Sequence, residues 1–384
     1  MSTGTSDWSV PETDVFERIR TALDEGTDAV LATVVAVEGS AYRRPGAKML
    51  IDPSGGGAGS ITAGCLEDEV RALAADVLEA GAPRLETWDL TGDDDVWGMG
   101  VGCNGVVTVL LEPLGESYQP VAEARGDGEN VAVATVVDGD LPVGTRSVYH
   151  PGDGGGEAGT FEGSLPEWVT DELTAPAGRL LDAGKGDTVS VETDEGAVDV
   201  FVEGVRAPPE LVVFGSGHDV GPVVELAKLV DFRVTVVTFR GGHADSGRFG
   251  RADEVVSASP RDVPDLREWD EDTYAVVMSH NFVDDRFALD ELLGTPVPYI
   301  GLMGPTERFE EIREAFAEEG RTFSEAELER IYTPIGLDLG TGTPYGIAYS
   351  IVAELLAVAN DRTPEHLSRR EGPIHERVEL SADD

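Results

Sequence analysis

Apolar positions in the first part of the chain follow both helical and strand spacing. Phe16, Ile19 and Leu23 recur every three or four positions and predict an amphipathic helix. The runs AVLATVVAVEG and KMLID are rich in β-branched residues and predict strands, and a further helix is predicted over 66–78. Residues 10–118 are therefore predicted to form an α+β domain.

Glycine, aspartate and glutamate dominate residues 119–206, where the apolar runs are short. VAVATVV and TVSVET predict strands, while PGDGGGEAG at 151–159 has the composition of a flexible loop. The phrase VAVATVVDG is similar to AVLATVVAVEG in the first domain and hints at a pairing of β units. We expect a small, acidic, β-rich segment here, with no chemistry of its own.

Strand-like and helix-like patterns alternate through residues 207–362. The run LVVFGSGHDVGPVVELAKLVDFRVTVVTF predicts a strand, a glycine turn, a helix and a second strand, and more buried strands follow between helical stretches. A last helix is predicted to begin at Thr343 as N-cap, with Pro344 at its first position. The alternation is typical of a parallel sheet with helices on both faces, so the predicted fold class is α/β with a Rossmann-like carboxyl-terminal domain. Residues 363–384 are predicted to be an acidic tail.

Acidic residues outnumber basic ones by 74 to 28, which gives a net charge of −46. Self-repulsion on this scale is tolerable where salt shortens the Debye length to about 3 Å or less, so the composition indicates a salt-adapted cytosol, as in a halophile. The same charge disfavours nucleic acids and anionic membranes as partners. Because no apolar run is long enough to cross a bilayer and the first residues lack a signal-peptide pattern, we predict a cytoplasmic protein.

Both cysteines of the chain lie among glycines. Cys65 stands in SITAGCLEDEV, just before the predicted helix, and Cys103 stands in WGMGVGCNGVV. Glycines beside a thiol let a ligand approach closely, which favours sulfur or ligand chemistry, whereas an inert small residue in a turn is the alternative for Cys103. A helix N-terminus would favour the Cys65 thiolate, but the acidic residues at 67–69 oppose it, so the sequence leaves its reactivity open. The spacing predicts no metal site.

Three cations cluster in the segment RRPGAK, namely Arg43, Arg44 and Lys48. In so acidic a chain, such a cluster is suited to a phosphate or another anionic group, which arginine binds through two parallel hydrogen bonds. Salt bridges to the abundant carboxylates are the equally weighted alternative.

The glycine turn GSGHDVG places Gly215 and Gly217 between the first strand and helix of the predicted parallel sheet, where backbone N–H groups favour a phosphate. The dinucleotide pattern is incomplete, because Val220 stands at the third glycine position and Gly221 is one residue late. The second strand runs on to Arg240 without the acid that would hold the ribose of NAD. A phosphorylated ligand other than NAD, or a tight turn that only packs the helix on the sheet, fits this pattern better.

Two histidines, His218 and His280, follow strands of the predicted parallel sheet. The carboxyl ends of such strands form the ligand crevice, so two histidines there favour ligand binding over mere surface positions. Asp284 and Asp285 are expected to cap the next helix or, less favoured, to orient His280. No GxSxG, Walker or HExxH pattern occurs, which removes support for the familiar hydrolase and NTPase classes.

These motifs together resemble the XdhC/CoxI family of xanthine dehydrogenase accessory proteins. The resemblance starts at ATVVAVEGSAYRRPGAKMLI and GSITAGCLEDEV and continues at GMGVGCNG around Cys103. It then includes VVFGSGH, RFGRADEV, SHNFVDD, YIGLMG and PIGLDLGTGTPYGIAYSIVAE, in the order that the family has them. Departures from the family pattern concern ligand details, and they fall at Ala63, Asn104, Thr238, Pro305 and Tyr345.

The resemblance implies a non-enzymatic maturation chaperone that binds the molybdenum cofactor, molybdopterin, in some members as a dinucleotide. It implies presentation of that cofactor to a cysteine desulfurase for sulfuration, insertion into the apoenzyme of a molybdenum hydroxylase, and a homodimer. Cys65 and Cys103 are expected at the reacting site. The expected cofactor-binding residues are Arg43, Arg44, Lys48, Gly64, Gly102, Gly215, Gly217, His218, Arg240 and His280. The competing hypotheses are a nucleotide-dependent oxidoreductase that uses the carboxyl-terminal domain and a scaffold that only binds its client.

Overall fold

The computed structural model describes residues 8–90, 105–152, 159–239 and 246–371, and the chain divides into two compact units after Ala207. Each unit has its own sheets and cores, so each is described by itself. Among the described residues, no helix combines the length and the apolar character needed to cross a membrane.

The amino-terminal unit contains the same seven-element pattern twice, in the order α-β-β-β-α-β-β. The first copy consists of α1 (Glu12–Glu25), β1 (Val30–Gly39), β2 (Lys48–Ile51), β3 (Gly57–Gly59), α2 (Glu67–Ala80), β4 (Arg84–Asp89) and β5 (Gly105–Pro113). The second consists of α3 (Gln119–Asp127), β6 (Val131–Gly139), β7 (Arg146–His150), β8 (Thr160–Gly163), α4 (Glu167–Ala183), β9 (Gly186–Thr193) and β10 (Gly196–Val205). Their antiparallel sheets have equivalent strand orders, β3-β2-β1-β5-β4 and β8-β7-β6-β10-β9.

Strand register confirms that the two copies correspond residue by residue. The sequence ATVV recurs in β1 and β6, with Thr33 paired to Lys48 in one sheet and Thr135 paired to Arg146 in the other. The similarity of the two β runs therefore reflects an internal structural repeat. The sequence predicts only small β structure for residues 119–206, but they form a complete five-stranded sheet with two helices, one of which, α4, has 17 residues.

Each sheet of this unit buries both faces. One face of the first sheet packs on α2, and the equivalent face of the second packs on α4. The remaining faces share one apolar cluster with α1 and α3, in which Phe16 and Tyr118 hold equivalent positions. A second cluster, formed by Val35, Leu110, Val137 and Phe201, also joins the two sheets.

Two buried ion pairs cross between the copies. Lys48 on β2 pairs with Glu203 on β10, and Arg146 on β7 pairs with Glu112 on β5 at 2.5 Å. The repeat makes Lys48 equivalent to Arg146 and Glu112 equivalent to Glu203, because each glutamate lies at the same register position in its sheet. Burial raises the pKa of Glu203, and Lys48 opposes that shift. Since a buried charge without its partner is strongly destabilising, the pairs fix how the copies associate.

The carboxyl-terminal unit contains a six-stranded parallel sheet with strand order β13-β12-β11-β14-β15-β16. Its strands are β11 (Glu210–Phe214), β12 (Arg233–Thr238), β13 (Glu254–Ser257), β14 (Thr273–Val277), β15 (Tyr299–Leu302) and β16 (Ile331–Tyr332). Its helices are α5 (Val220–Leu229), α6 (Phe282–Leu293), α7 (Thr306–Glu318), α8 (Glu325–Glu329) and α9 (Pro344–Ala359). Helices α5 and α9 cover one face, and α6 and α7 cover the other. The predicted α/β class and Rossmann-like domain are confirmed.

Candidate functional site

Three connections of the first copy meet at one end of its sheet, which we call the loop end. There β1 finishes at Gly39 opposite Gly105, the first residue of β5. Beside them β4 finishes at Asp89, and β3 finishes at Gly59 next to the start of β2. The RRPGAK loop after β1 and the SITAGC loop after β3 therefore lie at the same end of the sheet, where the connection from β4 to β5 also starts and finishes.

Cys65 is held just before α2 by a polar network around Thr62 and Glu67. The Thr62 hydroxyl donates to the buried Glu67 carboxylate and accepts from the Cys65 backbone N–H at 3.0 Å. Glu67 also accepts from the backbone N–H groups of Thr62, at 2.9 Å, and Leu66, at 3.1 Å. The thiol is half-buried against the core between the sheet and α2. The network gives Cys65 a defined place that glycines alone would not give.

Sequence reasoning misses the roles of Thr62 and Glu67. In the sequence, Glu67 stands only as a charge that opposes a thiolate, yet its carboxylate anchors the loop at the amino end of α2, where the helix dipole favours it. The available signal is a hydroxyl residue shortly before an acid that opens a helix. The other acids of this turn have partners of their own, since Asp68 pairs with Arg71 at 3.2 Å and Glu69 accepts from Trp88 at 2.8 Å.

Gly64 lies beside Cys65 with φ of +109°, in the left-handed region. A Cβ at this position would meet no atom within 4 Å, so backbone conformation rather than crowding favours glycine. The predicted site residue therefore shapes the loop through its main chain.

The three predicted cations have different environments. Arg43 is half-exposed and Arg44 exposed, and among the described residues neither side chain makes a hydrogen bond or an ion pair. Lys48 is only 2% exposed, and its Nζ donates to the Gly46 carbonyl at 3.0 Å and to Glu203. The salt-bridge alternative therefore holds for Lys48, which is a structural cation here, and anion binding is the better expectation for the two arginines.

The second copy shows what the scaffold looks like without these loops. Three residues connect β8 to α4, against seven from β3 to α2, and two residues connect β9 to β10, against fifteen from β4 to β5. The connection from β6 to β7 has six residues and no cation, against eight with both arginines after β1. Both cysteines and both arginines of the candidate site thus belong to connections that are longer in the first copy.

The second candidate region is the crevice of the parallel sheet. Strands β11 and β14 are neighbours at the point where the strand order reverses, which is where ligands bind in such sheets. The structure brings Gly215, Gly217 and His280 together there, with His280 Nε2 2.8 Å from Asp219 Oδ2. His218 is exposed on the same turn. A Cβ on Gly215 would lie 2.7 Å from the Met278 carbonyl oxygen, so this glycine permits the turn to pack on β14.

His280 has φ of +57°, and a buried network holds the turn in which it lies. Asp285 is 1% exposed and accepts from the Ser279 backbone N–H at 3.2 Å, from the Ser279 hydroxyl and from Arg308 at 2.5 Å. The favoured prediction of helix capping by Asp285 is wrong, because Asn281 caps α6 by accepting from the backbone N–H groups of Val283 and Asp284. Asp285 instead orients the His280 turn.

Three predicted site residues, Gly102, Cys103 and Arg240, lie outside the described residues. Groups of histidine, cysteine and acidic side chains that would hold a metal ion do not occur within the described part of the chain.

Comparison with known proteins identifies the family. A model of the XdhC and CoxI family matches residues 22–89, within the first copy, and a model of the XdhC Rossmann domain matches residues 211–355. The chain belongs to the XdhC/CoxI family.

Similar proteins cover both units of this XdhC/CoxI family member. A probable xanthine dehydrogenase component of Bacillus subtilis (strain 168) is 27% identical over 339 residues, which cover 87% of this chain and 94% of the relative. The uncharacterized protein YqeB of Escherichia coli (strain K12) is 28% identical over 180 residues, 43% of this chain and 30% of the relative. The crystal structure of a xanthine dehydrogenase from Bacillus halodurans is 27% identical, with a TM-score of 0.72 over 91% of this chain and 96% of that one.

Proposed function

We propose that this protein is a non-enzymatic accessory factor that binds the molybdenum cofactor and prepares it for a molybdenum hydroxylase. Family membership points to an accessory role in xanthine dehydrogenase maturation. Under this proposal, the protein presents the cofactor to a cysteine desulfurase for sulfuration and then to the hydroxylase apoenzyme, acting as a homodimer in the cytoplasm.

The observation that carries the proposal is the composition of the loop end. Two arginines without a partner among the described residues lie on one loop, and a cysteine fixed by Thr62 and Glu67 lies on the neighbouring one. Guanidinium groups suit the phosphate of molybdopterin, and a thiol suits its sulfur and molybdenum chemistry, so the donor set fits this cofactor. When bound, the cofactor supplies the metal and sulfur chemistry of the hydroxylase.

The residues of this chain would then have separate tasks. Arg43 and Arg44 would bind the anionic group, and Gly64 would let the ligand approach the backbone beside Cys65. The thiol would face the reacting end of the cofactor, with its position set by the Thr62–Glu67 network. Lys48 would act indirectly, by holding the RRPGAK loop on the scaffold through its contact with the Gly46 carbonyl.

Arginine variants test this function directly. Arg43→Gln and Arg44→Gln are expected to weaken cofactor binding by at least about tenfold each, because each removes a charge-assisted contact. Arg84→Gln, which removes an exposed arginine paired with Glu86 on the same sheet, is the matched control and should bind normally. Binding is measured in molar salt by equilibrium dialysis against released cofactor, with molybdenum and pterin both quantified. Equal binding by all three folded variants and the wild type would reject the arginine site.

A further inference from the structure

The glycine turn of the parallel sheet contains its own anion. Asp219 immediately precedes α5, and its Oδ1 takes the space that a Cβ on Gly217 would fill. In dinucleotide-binding turns, the second glycine leaves this space to the pyrophosphate. The carboxylate therefore stands where a nucleotide phosphate would approach the backbone.

Asp219 is held in this place from the other side of the crevice. Its Oδ2 lies 2.8 Å from His280 Nε2. His280 is itself fixed by the Ser279–Asp285–Arg308 network and has a left-handed backbone. The other described non-glycine residues with positive φ, Asp231 and Asp361, follow the ends of helices, where this conformation is routine. The strained residue in the crevice is the one that contacts the carboxylate.

The turn otherwise keeps the features that attract an anion. Its N–H groups lie at the start of the ten-residue helix α5, whose dipole favours negative charge. Arg248 places a guanidinium beside the turn by donating to the Ser216 carbonyl at 3.0 Å. The glycine spacing is one residue too long for the dinucleotide pattern, and Asp219 lies within that longer spacing.

We propose that Asp219 is a specificity-determining residue that occupies the phosphate position of the glycine turn and excludes nucleotides bearing a pyrophosphate. His280 is its positioning residue. A diphosphate would have to displace the carboxylate from its contact with His280 and would meet its charge. Because the carboxylate fills the space, exclusion is steric as well as electrostatic and persists in molar salt. The crevice is therefore closed to dinucleotide cofactors, although its sheet has the dinucleotide-binding topology.

Titration of the full chain with ADP-ribose and with inorganic pyrophosphate tests this assignment. The wild type is expected to show no calorimetric binding at millimolar ligand. Asp219→Gly should gain at least about tenfold in affinity for ADP-ribose, and Asp219→Asn should gain less, because the amide removes the charge and keeps the volume. Glu225→Gln is the control, since it removes a carboxylate from the same helix that contacts Tyr345 and not the turn.

His280→Ala separates positioning from general structure. Freed from its partner, the Asp219 carboxylate should yield to the ligand more easily, so affinity should fall between those of the wild type and Asp219→Gly. A merely structural role for His280 would leave affinity unchanged or lower it. Thermal unfolding in the same salt verifies that each variant is folded, and Asp219→Asn serves if Asp219→Gly does not fold. Tight ADP-ribose binding by the wild type, or no gain in folded Asp219 variants, would overturn the proposal.

Discussion

At the scale of single residues, the position of Cys65 depends on a hydroxyl and a carboxylate that are not themselves candidate ligands. Thr62 accepts from the Cys65 N–H and donates to Glu67, so it joins the loop to the first turn of α2. Removing that hydroxyl should loosen the loop without disturbing the sheet, because the strands lie outside the network.

Thr62→Val is predicted to lower cofactor retention several-fold and to lower the free energy of unfolding by about 1 to 3 kcal/mol, the range for a buried hydrogen bond whose partner is left unsatisfied. Thr87→Val is the matched control, because its hydroxyl meets Thr108 at 3.0 Å on an exposed face of the same sheet. Retention is measured as molybdenum per chain after gel filtration. Unchanged retention in Thr62→Val would show that the network does not position the site.

Tyr118 gives a prediction with a defined pH dependence. Its hydroxyl is buried and has no hydrogen-bond partner among the described residues, and the first copy has Phe16 at the equivalent position. Burial, followed by the charge of Glu203, raises the pKa of Tyr118 well above 10.0. The folded state therefore keeps the proton that the unfolded state releases above pH about 10, and this stabilisation is lost as pH rises further.

Tyr118→Phe should raise the free energy of unfolding by about 1 kcal/mol at neutral pH, because it removes an unsatisfied buried hydroxyl. It should also flatten the fall of stability between pH about 10 and 11, since one fewer group releases a proton on unfolding. Urea unfolding at several pH values, followed by tryptophan fluorescence, measures both effects. A variant less stable than the wild type, with the same alkaline slope, would contradict this account of Tyr118.

At the scale of elements, the crossed ion pairs explain why the two copies form one unit. Lys48→Met leaves Glu203 buried without its cation and is predicted to lower the free energy of unfolding by about 3 to 5 kcal/mol. The double variant with Glu203→Leu should recover most of that loss, so a double-mutant cycle should give a large coupling energy. Arg84 and Glu86, an exposed pair at 2.8 Å, provide the control cycle, with an expected coupling of about 1 kcal/mol or less. Equal coupling in the two cycles would remove the structural role assigned to Lys48.

The elements also show which parts of the structure sequence patterns can predict. Long apolar runs such as β1 and the alternation after Pro208 are sufficient for the first strands and the Rossmann-like sheet, because burial dictates their composition. Helix α4 is not predicted, because its apolar positions lie within a segment whose overall composition is that of a loop. Lys48 and Glu203 are 155 positions apart, so no local pattern could show that this cation has a partner. Asp219 could be predicted as a misfit in the glycine pattern, but not as an occupant of the turn.

At the scale of the whole molecule, the net charge of −46 predicts a strong dependence of stability on salt. Raising ionic strength from 0.1 to 1 M shortens the Debye length from about 10 to about 3 Å and screens the repulsion between surface carboxylates. The free energy of unfolding should therefore rise steadily with KCl over this range.

Urea unfolding at increasing KCl measures this dependence. Sucrose, which strengthens burial without screening charge, is the matched control and should stabilise the protein much less than KCl does. A free energy of unfolding that does not change with KCl, or that changes equally with sucrose, would contradict the assignment of the charge to a saline solvent.

The central claim is that this family member carries the molybdenum cofactor at the loop end of its first copy. The most direct measurement is molybdenum and pterin content of the chain co-produced with the cofactor and purified in molar salt, for the wild type, Cys65→Ala and Cys103→Ala. The account predicts close to one cofactor per chain in the wild type and a clear loss in folded Cys65→Ala. A folded wild type that retains neither molybdenum nor pterin would contradict it.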